Sequence, residues 1–146
     1  MAASEVPPWA ARGFRHLILT TIVALVAQYF LGLWTNTYGG FSPTHAPAPL
    51  MAHIALGYLL LVLAILAVVF ASLNRHTGSI VASLALLASI LVAAIAGSQF
   101  LNDASQPPAD SFAMGTAFLA ALLSALALAY LQGFRPMVYP TGSPPP

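Results

Sequence analysis

His53 is the one ionisable side chain in this sequence that lies well inside a long apolar run, and it is the residue with the broadest chemistry on offer. An imidazole can ligate a metal or haem iron, or it can simply donate and accept hydrogen bonds. Ionisable groups inside a membrane are costly, so one found there is a functional hypothesis by default. Gln28, Gln99, Ser111 and Met114 fall near the same height as His53 once the runs around them are read as helices, and Gly57 follows His53 by one turn. His53 with Met114 would make a His/Met haem site, and His53 alone a five-coordinate one. A satisfied structural histidine, bonded to Gln28, is the plainer reading. A quinone or lipid headgroup held in the same outer pocket is the third.

The other candidate ligands are less well placed. His45 stands in a polar link between Pro43 and Pro47, where solvation accounts for it. A copper site built from His45, Met51, His53 and Met114 has suitable donors, but no recognisable spacing constrains it. His16 and His76 stand at the edges of apolar runs, where an imidazole is ordinary. The sequence contains no cysteine, which removes disulfides, thiolate metal sites and cysteine nucleophiles. No paired carboxylates, nucleophile–base arrangement, phosphate-binding glycine loop or zinc motif is present, and nothing points to an independent enzyme.

The elements that must position these residues are four apolar runs, roughly Phe14–Asn36, Leu50–Leu73, Ser79–Leu101 and Ser111–Leu131. Each is long enough, at about 1.5 Å per residue, to cross a hydrocarbon core about 30 Å thick. Only 5% of the 146 residues are charged, too few to dress the surface of a water-soluble bundle. The expectation is an all-α, up-down-up-down bundle of four transmembrane helices at residues 14–133. An N-terminal tail at 1–13 and a Pro-rich C-terminal tail at 134–146 flank it. Arg12, Arg15, Arg75 and Arg135 fall on one side under this arrangement, and positive residues stay inside, so both termini are expected in the cytoplasm. The location expected is the cell membrane, in multi-pass form. There is no basic patch to bind nucleic acid.

Small and polar residues recur at helical spacing and mark the faces expected to pack. They are Thr21, Ala24, Gln28, Gly32 and Thr35 in the first run, and His53, Gly57, Ala64, Ala67 and Ala71 in the second. The third offers Ala82, Ala85, Ser89, Ala96 and Gln99, and the fourth Met114, Ala117, Ala121 and Ser124. Asn74-Arg75-His76-Thr77-Gly78 reads as a tight turn, and Asp110 or Ser111 as the N-cap of the last helix.

Gln28-Tyr29-Phe30-Leu31-Gly32, a polar link and then His53-Ile54-Ala55-Leu56-Gly57-Tyr58 resemble one half of a heme A synthase, and more loosely a small b-type membrane cytochrome. The family's half-bundles carry haem-ligating histidines on their second and fourth helices. The resemblance implies His53 as an axial ligand to haem b and Gly57 as the position that leaves room for the porphyrin. Ser98-Gln99-Phe100-Leu101 faintly repeats the Gln-aromatic-Leu of the first helix. The fourth helix departs from the family in having no histidine; Met114 is its nearest substitute. Gln28 and Gln99 would stand at the pocket's edge.

Two functions of different class follow. One is a haem-binding electron-transfer protein or redox-complex subunit with its site in the outer leaflet. The other is a non-catalytic accessory subunit that packs against other membrane subunits, or against its own copies, within the lipid bilayer. A channel or transporter fits poorly, because no run contains an internal proline and the midplane carries only Ser89 and Ser124 as polar groups.

Overall fold

A computed structural model describes residues 8–37, 47–102 and 108–133 of the chain. Four helices account for nearly all of them: α1 Pro8–Asn36, α2 Ala48–Asn74, α3 Thr77–Asn102 and α4 Pro108–Gly133. All four are long and apolar enough to cross a membrane. At about 1.5 Å per residue the shortest spans about 39 Å, so the ends reach past a hydrocarbon core of about 30 Å or the helices tilt within it. In lipid every backbone N–H and C=O must find a partner within the protein, and an unbroken helix supplies those partners along its own length. This is a small integral membrane protein.

The helices form a ring in chain order. α1 packs on α2 and α4, and α3 on α2 and α4, while among the described residues the backbones of the diagonal pairs α1–α3 and α2–α4 stay apart. The α3–α4 seam is the most extensive and the α1–α4 seam the sparsest. Near the end that carries Arg12, Arg15 and Arg75, here the arginine end, the Phe14 and Phe70 rings stack at 6.0 Å and 7°. There too, Gln132 of α4 reaches Ser79 of α3. Tyr29 stacks on Phe118 in the opposite half.

The centre of the bundle is built from small side chains. Ala64, Ala71, Ala121 and Ala125 are fully buried, together with the larger Phe14, Leu25, Leu86 and Leu128. Large apolar residues such as Val23, Phe30, Tyr58, Val81 and Leu123 point outward. This inversion of the water-soluble pattern is expected where lipid tails solvate Leu and Val as well as a core does, and close backbone approach holds the helices together.

The helix ends differ in detail from the sequence expectation. α1 begins at Pro8, so residues 8–13 of the expected N-terminal tail are helical. α4 starts at Pro108, which puts Asp110 in its first turn and not at its N-cap. Proline lacks the N–H that a first turn leaves unused, so an earlier start costs the helix nothing. Between α2 and α3 the chain turns within two residues: Arg75 adopts the left-handed conformation at φ 51°, and its N–H bonds the Ser72 carbonyl. Tyr38, His45, Asp103, Phe134, Arg135 and Tyr139 lie outside the described residues, as do the rest of both tails.

Candidate functional site

Three of the four expected packing faces hold throughout. On α1, Thr21, Ala24 and Thr35 are buried, with Gln28 and Gly32 half-buried among them. On α2, Ala64, Ala67 and Ala71 are buried, and His53 and Gly57 half-buried. On α4, Ala117 and Ala121 are buried as expected, and Ala125 and Leu128 continue the face.

The α3 stripe requires correction. Ser79, Ser83, Leu86 and Ile90 form most of its buried face; Ala96 is buried as expected and Ala82 and Ser89 are half-buried, whereas Ala85 and Gln99 are exposed. Over residues 79–90 the most buried side is rotated by about 100°, one residue, from the expected one. α3 is small and apolar nearly all round, so no polar contrast in the sequence marks which side turns inward.

The polar centre of the half away from the arginine end lies between α1 and α2. His53 stands five residues into α2, about 7–8 Å below its start, and Gln28 stands about 12 Å below the end of α1. The His53 ring is held at both nitrogens. Nδ1–H donates to the Gln28 main-chain carbonyl at 3.2 Å, and Nε2 accepts from the Gln28 side-chain amide at 3.1 Å. The carbonyl bond requires a proton on Nδ1, which leaves the Nε2 lone pair to receive the amide. Each bond therefore fixes the tautomer that the other needs.

Two glycines make this approach possible. A Cβ at Gly32 would stand 3.2 Å from His53 Cε1, tighter than ordinary van der Waals contact. A Cβ at Gly57 would stand 3.6 Å from Gln28 Nε2. Each polar side chain thus lies over the glycine one turn along from its partner. Gln28 and Gly32 on α1 face His53 and Gly57 on α2 as a reciprocal clasp. One atom is left over: Gln28 Oε1 is buried without a hydrogen-bond partner.

Met114 belongs to a different seam. A Cβ at Gly97 of α3 would stand 3.4 Å from its sulfur, so Met114 packs across α3–α4. The backbones of α2 and α4 do not approach closely among the described residues, so His53 and Met114 stand in different seams. Gln99 is exposed on α3. Both ring nitrogens of His53 are engaged, so the residues as arranged do not fit an axial haem ligand. Iron at Nε2 would require the Gln28 amide to withdraw.

Several other polar groups in the spans are satisfied locally. The hydroxyls of Thr21, Thr35, Ser72, Thr116 and Ser124 each donate to the carbonyl four residues back, at 2.7 to 2.9 Å. His16 Nδ1 donates to the Arg12 carbonyl at 2.9 Å.

A second polar cluster was not foreseen. His76 precedes α3, and its Nδ1 accepts the Ser79 N–H at 3.2 Å, a side-chain cap on the first turn. The Ser79 hydroxyl lies 3.2 Å from the same nitrogen and accepts from Gln132 Nε2 at 3.1 Å. The cluster ties the α2–α3 turn to the end of α4. The signal available was the three-residue spacing of His76 and Ser79, which a histidine at N-cap seldom announces. A group of three or more His, Cys, Asp or Glu that could hold a metal is not found among the described residues.

A depression of about 210 Å³ opens at the α1–α4 seam between Val26, Tyr29, Phe118 and Leu122. Its lining is wholly apolar.

Comparisons with protein-family models, with curated proteins and with solved structures find no match, so the resemblance to heme A synthase rests on the residues that carry it.

Proposed function

We propose that this chain is a non-catalytic accessory subunit of a membrane complex, and that Gln28 and His53 serve to lock α1 on α2. The observation that carries this reading is the saturation of the imidazole. The side chain with the richest ligand chemistry has both nitrogens committed to Gln28. Interhelical hydrogen bonds of this kind are worth about 0.6 kcal/mol on average in membranes and reach about 1.7. They favour one register and one rotation of the helix pair over others.

The outward surface fits the same role. α3 presents Ala85 and Ala88 with Gln99 along one exposed side, and the Gln99 amide has no partner among the described residues. Small residues permit close helix approach, and an amide facing lipid gains from a neighbour that can bond to it. Another membrane subunit, or a further copy of the chain, would supply both.

The test is made on protein solubilised in mild detergent from cells supplied with haem. Migration within a larger assembly on a native gel is expected, with no absorption band near about 400–430 nm, the region in which haem absorbs. A monomer carrying a stoichiometric band of that kind would overturn the accessory reading in favour of a b-type haem protein at His53.

A further inference from the structure

We propose that the lipid-facing side of α1 holds one anionic phospholipid, its phosphate between Arg12 and Arg15 and an acyl chain in the depression at the α1–α4 seam. Arg12 and Arg15 are exposed, lie three residues apart on one face of α1, and have no carboxylate partner among the described residues. Guanidinium groups present planar, paired donors that match phosphate oxygens. They stand next to Trp9, which is 65% exposed and marks headgroup level at this end of the helix.

From Arg15 the stripe Leu19, Ile22, Val26 and Tyr29 runs along the helix at spacings of three and four, so these residues share one side. Val26 and Tyr29 line the depression, about 16 Å from Arg15 along the axis. The depression is closed below by Phe118 and Leu122 of α4, where the seam between helices is sparsest. A headgroup site and an apolar groove thus lie on one line, in the order in which a phospholipid presents its phosphate and its chain. A second copy of the protein docking here by twofold symmetry would bring arginine toward arginine. The charge therefore selects an anionic lipid as occupant.

Native mass spectrometry of the full chain, extracted with equal amounts of phosphatidylglycerol and phosphatidylcholine of the same chain length, tests this. One phosphatidylglycerol should be retained in preference. Arg12→Gln and Arg15→Gln should each lower its retention about fivefold, the attraction expected of one arginine at a membrane surface. Arg75→Gln, at the α2–α3 turn, should leave retention unchanged. Val26→Trp, which fills the depression, should release the lipid with both arginines present. Should a variant fail to fold, the unaltered protein decides: phosphatidylglycerol should raise its melting temperature more than phosphatidylcholine does, and 1 M salt, at a screening length of about 3 Å, should abolish the difference. Equal retention of the two lipids, or losses in Arg12→Gln and Arg15→Gln no greater than in Arg75→Gln, would overturn the proposal. So would retention indifferent to Val26→Trp.

Discussion

Replacing His53 and Gln28 by leucine, singly and together, isolates the clasp between α1 and α2. His53→Leu removes two hydrogen bonds and leaves the Gln28 amide without its acceptor. Taking about 0.6 kcal/mol for each bond and about 0.6–1.2 kcal/mol for the stranded amide, the loss should be about 2 kcal/mol. Gln28→Leu removes the bond to Nε2 and strands that nitrogen, yet it also eliminates the unpartnered Oε1. The two effects oppose, and the net change should stay within about 1 kcal/mol. The double variant removes both partners at once, so it should be less destabilised than the sum of the single changes. The difference should lie between about 0.6 and 1.7 kcal/mol, since only the Nε2···Nε2 bond joins the two side chains. Unfolding by titration of sodium dodecyl sulfate into mild-detergent micelles, followed by helical circular dichroism, gives the four free energies. Additive losses, with coupling indistinguishable from zero, would refute the clasp.

Further outcomes are expected elsewhere. Gly32→Ala should destabilise by about 1 kcal/mol or more because its Cβ meets His53 Cε1 at 3.2 Å, whereas Gly57→Ala, at 3.6 Å from Gln28 Nε2, should be nearly neutral; the same titration ranks them. Ala121→Leu introduces a larger side chain at a fully buried position and should cost about 1–3 kcal/mol, measured likewise. His76→Ala should cost about 1 kcal/mol through loss of the α3 cap, with faster amide exchange at Ser79 as its local sign. Reporter fusions at Thr44 and Ser105 should read external and one at Arg135 internal; the reversed pattern would contradict the orientation drawn from the arginines.

The sequence exposed the architecture because membrane physics leaves few choices. Runs of about 20 apolar residues must be helices, and short polar links must make neighbours antiparallel. The Gln28–His53 pair was legible too, since two hydrogen-bonding side chains at one depth on facing small-residue stripes have strong reason to meet. What remained hidden was rotation about helix axes. α3 carries alanine, serine or glycine on every side, so placing Ala85 and Gln99 inward rested on contrast that the sequence does not contain. Nor could the sequence show that Met114 packs on Gly97 across the α3–α4 seam. The His76 cap depended on a turn geometry, Arg75 at positive φ, that was set by the chain reversal and not by periodicity.

The most direct test of the central claim is nitrogen-15 magnetic resonance of His53 in the full chain embedded in lipid. The clasp predicts a neutral ring with the proton on Nδ1, an unprotonated Nε2, and a through-space correlation from Nε2 to the Gln28 side-chain amide. A ring bearing its proton on Nε2, or an Nε2 resonance displaced by coordinated iron with no contact to Gln28, would contradict it.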